Sequence, residues 1–383
     1  MSVSDFKAAE AVLRIERSSL RVQQPASTGD MISLAMGEPD FATPARIVQA
    51  AVDALNDGYT HYAPLLGDKA LCQALAEEVA AQSGNPVADG EILITHGGTA
   101  GLAAAILSMV NPGDRVVIPD PTYSLYADLV NMAGGICVPM PCQADLHWDL
   151  TRLGQVLEGA KLFIFCNPGN PTGIVHRRDE IEALAKWAAL HDTRVIADEA
   201  YSDLVFTDRP FTSVLQVPEF RGRTLYCQTF SKSFAMTGWR VGYLAGPSAM
   251  IKAAARVHNT VNGSVNSAVQ RAALVAIREC KDDVKRMYDI YRERRQLMMN
   301  GLRSIPELAL NEPEGAFYCF PSYSLPIPAI DMVALLREQG IAVRPGSEFG
   351  AAGEGYLRLS YAASSEAISE GVRRLKRGLA GLK

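Results

Sequence analysis

Between residues 91 and 245 short apolar runs recur: 91–95, 115–119, 135–138, 161–166, 194–197, 224–227 and 243–245. Most end in loops rich in Gly, Pro, Asn or Asp, and helical patterns stand between them. Runs this short and this continuously apolar suit strands buried on both faces, and the intervening helices supply the crossovers. The alternation therefore predicts an α/β fold, a mostly parallel sheet flanked by helices. It also says where to look for chemistry. In an open sheet of this kind, ligands bind outside the carboxyl ends of the strands.

The most distinctive such end is Thr229-Phe230-Ser231-Lys232-Ser233-Phe234-Ala235-Met236-Thr237-Gly238-Trp239-Arg240, where a lysine follows an apolar run and an arginine comes eight positions later (240 − 232). A buried lysine with a depressed pKa is a nucleophile for Schiff-base chemistry, with a carbonyl substrate or with pyridoxal phosphate. We expect Lys232 to lie at the strand end, in a glycine-bearing loop, and to carry pyridoxal phosphate.

Three other strand ends share this character. The run 91–95 feeds Gly97-Gly98-Thr99 and a helix expected from Leu102 to Val110. That arrangement aims backbone amides and the positive end of a helix dipole at an anion. The run 161–166 empties into Asn167-Pro168-Gly169-Asn170-Pro171-Thr172-Gly173, and 194–197 into Asp198-Glu199-Ala200-Tyr201. Read alone, Asp198 is an N-cap and the glycine pair a tight turn.

Outside this middle section the texture changes. Residues 1–30 read as a helical arm with Val12, Ile15 and Ser19 on one face, followed by a short strand at 31–34 and the turn around Gly37. From about residue 270 the pattern predicts one long charged helix (Leu274 to about Leu302), strands near 317–320, 341–343 and 356–361, and a final helix with Ile368, Val372, Leu375 and Leu379 as its stripe. At 383 residues two lobes are expected. We place a large one at 45–270 and a smaller α+β one formed by 1–44 and 271–383, with the arm packed on the latter.

Taken together these segments resemble the class I/II aminotransferases of fold type I, which depend on pyridoxal phosphate. The likeness runs from Met36-Gly37-Glu38-Pro39-Asp40-Phe41 to Tyr356-Leu357-Arg358-Leu359-Ser360-Tyr361. It implies an enzyme that moves an amino group between an L-amino acid and a 2-oxo acid by a ping-pong route. β-Elimination, a cyclising synthase reaction and amino-acid oxidation are rival chemistries of the same scaffold. By the resemblance, Lys232 holds the cofactor and shuttles the substrate proton, and Asp198 pairs with the ring nitrogen, keeping the ring an electron sink. Tyr201 and Asn170 bond the phenolic oxygen, and Tyr123 stacks on the ring. Gly98, Thr99, Thr229 and Arg240 hold the phosphate, with Ser231 a weaker candidate. Tyr62 reaches the cofactor of the other subunit, so a homodimer is implied. Arg358 clamps the substrate α-carboxylate, helped by Asn170 and the amide of Gly37.

The chain departs from the pattern at Thr99, where the subgroup that favours dicarboxylic substrates often carries lysine. Arg344, Arg46 and Arg21 are candidate replacement cations, and aromatic, aliphatic and basic amino acids are equally open as donors. A net charge of −5 gives no electrostatic case for nucleic acid or an anionic membrane. Seven cysteines without a Cys-x-x-Cys pair suggest free thiols. The first residues lack a basic segment followed by an apolar core, so a cytoplasmic protein is expected. The six histidines include no pair at metal-ligand spacing.

Overall fold

The computed structural model describes residues 6–15, 30–88 and 90–382. Its centre is a seven-stranded sheet made of β2 (Ile92–Thr95), β3 (Arg115–Asp120), β4 (Ile136–Pro141), β5 (Leu162–Cys166), β6 (Arg194–Asp198), β7 (Thr224–Thr229) and β8 (Gly242–Ala245). A separate two-residue strand, β1 (Ile32–Ser33), precedes them. The order across the sheet is β2-β8-β7-β6-β5-β3-β4, and all neighbours run parallel except those of β8, which is antiparallel to both β2 and β7.

Both faces are buried, as the continuous apolar runs require. Leu93, Val116, Ile164, Ile196, Leu225 and Leu244 join one apolar cluster. Their neighbours Ile94, Val117, Phe165, Val195, Tyr226 and Tyr243 join another on the opposite face. That is the period-two alternation of a pleated strand.

The topology explains why distant residues meet. Loops after β2, β3, β5, β6 and β7 all open at the carboxyl edge of the sheet. Because β8 runs the other way, the residues that precede it lie at that same edge, with Gly242 in register with both Thr95 and Thr229. Arg240 thus joins from a strand's beginning what the other loops bring from strand ends.

Several expectations are corrected here. The long charged helix is two helices, Ser267–Glu279 and Lys281–Leu302, separated by buried Cys280 with φ −111° and ψ 24°. Asp282 and Asp283 in the first turn favour a fresh helix start there. The helix expected from Leu102 begins at Gly97, so Gly97, Gly98 and Thr99 form its first turn. Lys232 lies in a short helix, Phe230–Ser233, rather than a loop, because the Thr229 side chain caps it by accepting from the Ser231 amide. Of the amino-terminal arm, a single turn, Glu10–Leu13, is helical, and Ser19 falls outside the described residues. Arg14 donates to the carbonyls of Asn131 and Met132 at 2.8 and 3.2 Å, which seats this turn beside the helix Leu125–Ala133 of the central unit.

The remaining strands are short: β9 (Leu308–Ala309), β10 (Tyr318–Cys319), β11 (Ser322–Tyr323), β12 (Ile341–Ala342), β13 (Arg344–Pro345) and β14 (Leu357–Ser360). β1 pairs in parallel with β12, tying residues 32–33 to the carboxyl-terminal part, and β14 lies between β10 and β13. The last helix, Ser365–Ala380, buries Ile368, Val372, Leu375 and Leu379 as its pattern predicts. Among the described residues no helix is long and apolar enough to cross a membrane.

Candidate active site

At the carboxyl edge, the first corner is built to take an anion. Gly97 opens the helix Gly97–Met109 at φ 72°, a conformation that favours glycine. A side chain there would also strike the Arg240 guanidinium, since a Cβ would sit 2.7 Å from its Nη2. Gly98 faces Thr229, with room for a Cβ at 3.6 Å. Arg240 holds a left-handed φ of 54° and anchors its Nη1 on the Thr237 carbonyl at 2.8 Å. The Thr229 and Ser231 hydroxyls lie 2.9 Å apart. Unpaired helix amides, a guanidinium and two hydroxyls make a phosphate-sized cradle.

The second corner holds Asp198, the last residue of β6. Tyr126 Oη donates to its Oδ2 at 2.7 Å and the Ala200 amide to its Oδ1 at 3.2 Å. Burial pushes this carboxyl above the usual carboxylate range, while Tyr126, the Ala200 amide and the Lys232 ammonium pull the other way. A carboxylate so placed gains most from a cation set against it. Tyr123 meets Tyr126 edge to face, with ring centroids 5.6 Å apart.

Lys232 is half-buried between the corners. Its Nζ donates to the Gly37 carbonyl at 2.5 Å and lies 5.8 and 5.6 Å from the ring centroids of Tyr201 and Phe317. The Tyr201 and Tyr318 hydroxyls are 2.9 Å apart, and burial raises the Tyr201 phenol well above its ordinary range.

The third corner is Arg358, on β14 and 7% exposed. Its Nη1 donates to Asn170 Oδ1 at 3.0 Å and its Nη2 to the Ala35 carbonyl at 2.9 Å, while Nε is buried without a partner. The rings of Tyr318 and Phe349 flank the guanidinium at 4.4 and 4.8 Å. No carboxylate among the described residues forms an ion pair with it. A buried guanidinium held only by neutral oxygens is ready to take a carboxylate from a ligand. Gly37 stands beside it, and a Cβ there would lie 2.4 Å from Tyr318 Oη.

The structure thus brings Lys232, Asp198, Tyr201, Tyr123, Asn170, Gly37, Arg358, Gly98, Thr99, Thr229, Ser231 and Arg240 to one edge. Tyr62 stands apart, 97% exposed. Of the three candidate cations for a distal carboxylate, Arg344 is paired with Glu348, and Arg46 donates to the Glu279 carbonyl. Arg21 lies outside the described residues.

Sequence reasoning missed Tyr126, Tyr318 and Phe349. Tyr126 and Tyr318 stand in stretches whose pattern says core packing and Phe349 in a glycine-rich loop, and only the tertiary fold turns the Tyr126 hydroxyl toward Asp198 and the rings of Tyr318 and Phe349 toward Arg358. It also missed a gathering of His147, His176 and Glu180, all buried, whose possible ligand atoms lie within 4.8 Å of one another. The two histidines come from separate loops, so spacing carries no trace of it. The Glu180 oxygens already accept from the amides of Trp148 at 2.7 Å and Arg177 at 2.6 Å and face both imidazoles. This carboxylate is an internal cap, held below its usual range by the two imidazoles and the Arg177 amide against the cost of burial.

Comparison with known proteins agrees with this geometry. The family profile described as aminotransferase class I and II matches residues 29–375. An aspartate aminotransferase of Pyrococcus horikoshii is 34% identical over 385 residues, spanning 98% of each chain. Among solved structures, a tetra mutant of Thermus thermophilus aspartate aminotransferase superposes with a TM-score of 0.89 at 33% identity, covering 97% of this chain and 99% of that one. An aromatic aminotransferase from Pyrococcus horikoshii gives 0.88 at 34% identity, covering 92% and 96%. The chain belongs to the class I and II aminotransferases, with the fold type I architecture. It is an enzyme that moves an amino group between an amino acid and a 2-oxo acid.

Proposed function

We propose that the site works with pyridoxal phosphate attached to Lys232 and runs a ping-pong exchange between an L-amino acid and a 2-oxo acid. The observation that carries this reading is the charge arrangement. A buried carboxylate, an amine and a buried guanidinium without a carboxylate partner stand at one sheet edge beside a cradle for an anion. Those residues fit the cofactor. Asp198 would face a protonated ring nitrogen, Tyr123 the ring, and Tyr201 with Asn170 the phenolic oxygen. Gly98, Thr99, Thr229, Ser231 and Arg240 would hold the phosphate.

Bound there, the cofactor supplies an electron sink for the pair released when the Cα–H bond breaks. The protein supplies the rest. Arg358 orients the substrate through its α-carboxylate, steadied by Asn170, Ala35 and two aromatic rings. Lys232 Nζ would take the substrate Cα proton as general base and give it back as general acid. Tyr201 and Phe317 flank that amine, their ring centroids 5.8 and 5.6 Å from Nζ. Tyr126 holds Asp198 in place by donating to it.

We further propose a homodimer in which Tyr62 reaches the neighbouring subunit's phosphate. Its near-complete exposure, together with Leu65 at 65% and Val261 at 72%, supports a surface meant to be covered. We place the large lobe at 45–270 and the smaller one at 1–44 with 271–383; the β1–β12 pairing supports this for residues 32–33, while the Glu10–Leu13 turn and the helix Ser267–Glu279 pack on the large lobe. A reducing cytoplasm suits its seven free cysteines.

A screen of single amino acids against the loaded enzyme, following the cofactor absorbance with and without a 2-oxo acid acceptor, tests the reading and identifies the donor. Conversion that stops after one turnover without acceptor and resumes with it is expected. Steady ammonia release without acceptor would contradict it.

A further inference from the structure

On the other face of the sheet from the helix Gly97–Met109, behind the short helix that carries Lys232, lies a cavity of about 530 Å³. Its walls include Tyr226, Phe230, Phe234 and Tyr243, all buried. The Gln228 amide on the same wall is already engaged, donating to the Glu199 carbonyl at 2.9 Å and to Ser202 Oγ at 3.0 Å, and accepting from the Thr229 amide at 2.8 Å. At the rim Lys281 is paired with Glu78 at 2.8 Å, and Lys285 with Asp289 at 2.7 Å.

One charged group is left over. Asp203, exposed at the mouth of the cavity, accepts from Ser233 Oγ at 2.5 Å, and no cation among the described residues lies within ion-pair distance of it. A carboxylate in that position is stabilised by an incoming cation, and electron-rich ring faces beside it add attraction of the same sign. The volume lies within the range of small-molecule sites.

We propose that this cavity binds a small organic cation, with an ammonium or amidinium head on Asp203 and an apolar or aromatic body among Tyr226, Phe230, Phe234 and Tyr243. Ser233, which bonds Asp203, is the residue after Lys232. The site is separate from the Arg358 clamp, and its test does not depend on turnover.

Benzamidine is a suitable probe: its planar fork matches a carboxylate, and it has no carboxylate of its own for Arg358. Calorimetric titration of the holoenzyme should show saturable 1:1 binding with a Kd below about 1 mM. Asp203→Asn should weaken it at least ~10-fold, since the charge-assisted pair is lost. Val284→Phe, which fills the cavity from the helix Lys281–Leu302, should do the same without touching the carboxylate. Uncharged benzamide, of the same shape, should bind at least ~10-fold more weakly. Absence of saturation with benzamidine, equal binding of benzamide, or unchanged binding in either folded variant would overturn the proposal.

Discussion

Replacing Arg358 by lysine keeps the positive charge and removes the fork. In the structure the guanidinium spends one nitrogen on Asn170 Oδ1 and one on the Ala35 carbonyl, with aromatic rings on both sides. A lysine ammonium can keep one of these bonds and point at a substrate carboxylate, but it cannot hold that carboxylate along two parallel bonds. A hydrogen bond to a charged group contributes ~1.5–3 kcal/mol, so losing one such bond together with the alignment costs about 2–3 kcal/mol in the transition state. That corresponds to roughly a 30- to 150-fold fall in kcat/KM for the preferred amino acid. Burial of the new side chain among the same neutral oxygens should leave the fold and the cofactor content intact. The assay is the amino-acid half-reaction of the loaded enzyme by stopped-flow absorbance, run in parallel with the corresponding amine that lacks the carboxylate. The amine should react at the same rate with both proteins. A loss under threefold for the amino acid, or an equal loss for both compounds, would refute the carboxylate-clamp argument.

Other consequences follow from the same geometry. Tyr126→Phe removes the 2.7 Å bond to the buried Asp198 carboxylate, and cofactor affinity in equilibrium dialysis should fall ~10- to 100-fold. Gly37→Ala places a Cβ 2.4 Å from Tyr318 Oη, so steady-state kinetics should show a large rise in KM with the melting temperature little changed. Burial pushes the Glu199 carboxyl up to about 8 from 4.5, with the Val214 amide and Ser213 opposing. The folded chain therefore holds a proton that the unfolded chain releases, and this group's contribution, full below about pH 4.5, is lost as pH rises toward 8. Glu199→Gln should flatten the decline of the melting temperature across that window, and an unchanged slope would count against it. Mixing Tyr62→Ala with Lys232→Ala subunits should restore about a quarter of wild-type activity if sites are shared between subunits, because one dimer site in two then escapes both changes in the mixed half of the population.

Much of this architecture was legible in the sequence because its signals are local. Seven short apolar runs announce a mostly parallel sheet without reference to any contact, all but the edge strand β4 largely buried, and each functional residue at a strand end inherits its place from that sheet. Arg240 is legible for the same reason once β8 is seen to run antiparallel. Residues whose role depends on which element folds onto which were not. Tyr126 sits on a helix and Tyr318 on a strand, in contexts that read as core. Only the packing of the helix Leu125–Ala133 on the sheet puts the Tyr126 hydroxyl on Asp198 at the end of β6. The helix break at Cys280 escaped because a buried cysteine within a continuous charged pattern gives no stop signal. Tyr62 is legible only through resemblance, since one chain leaves it facing solvent.

The central claim is that Lys232 is the residue that carries the cofactor. Intact-protein mass spectrometry after borohydride reduction of the loaded enzyme tests it most directly. The account predicts that wild-type protein gains one reduced pyridoxyl-phosphate group, that peptide mapping puts it on Lys232, and that Lys232→Ala gains none while keeping its melting temperature and its capacity to bind the cofactor reversibly. A reduced adduct on another lysine, or amino transfer by Lys232→Ala at the wild-type rate, would contradict it.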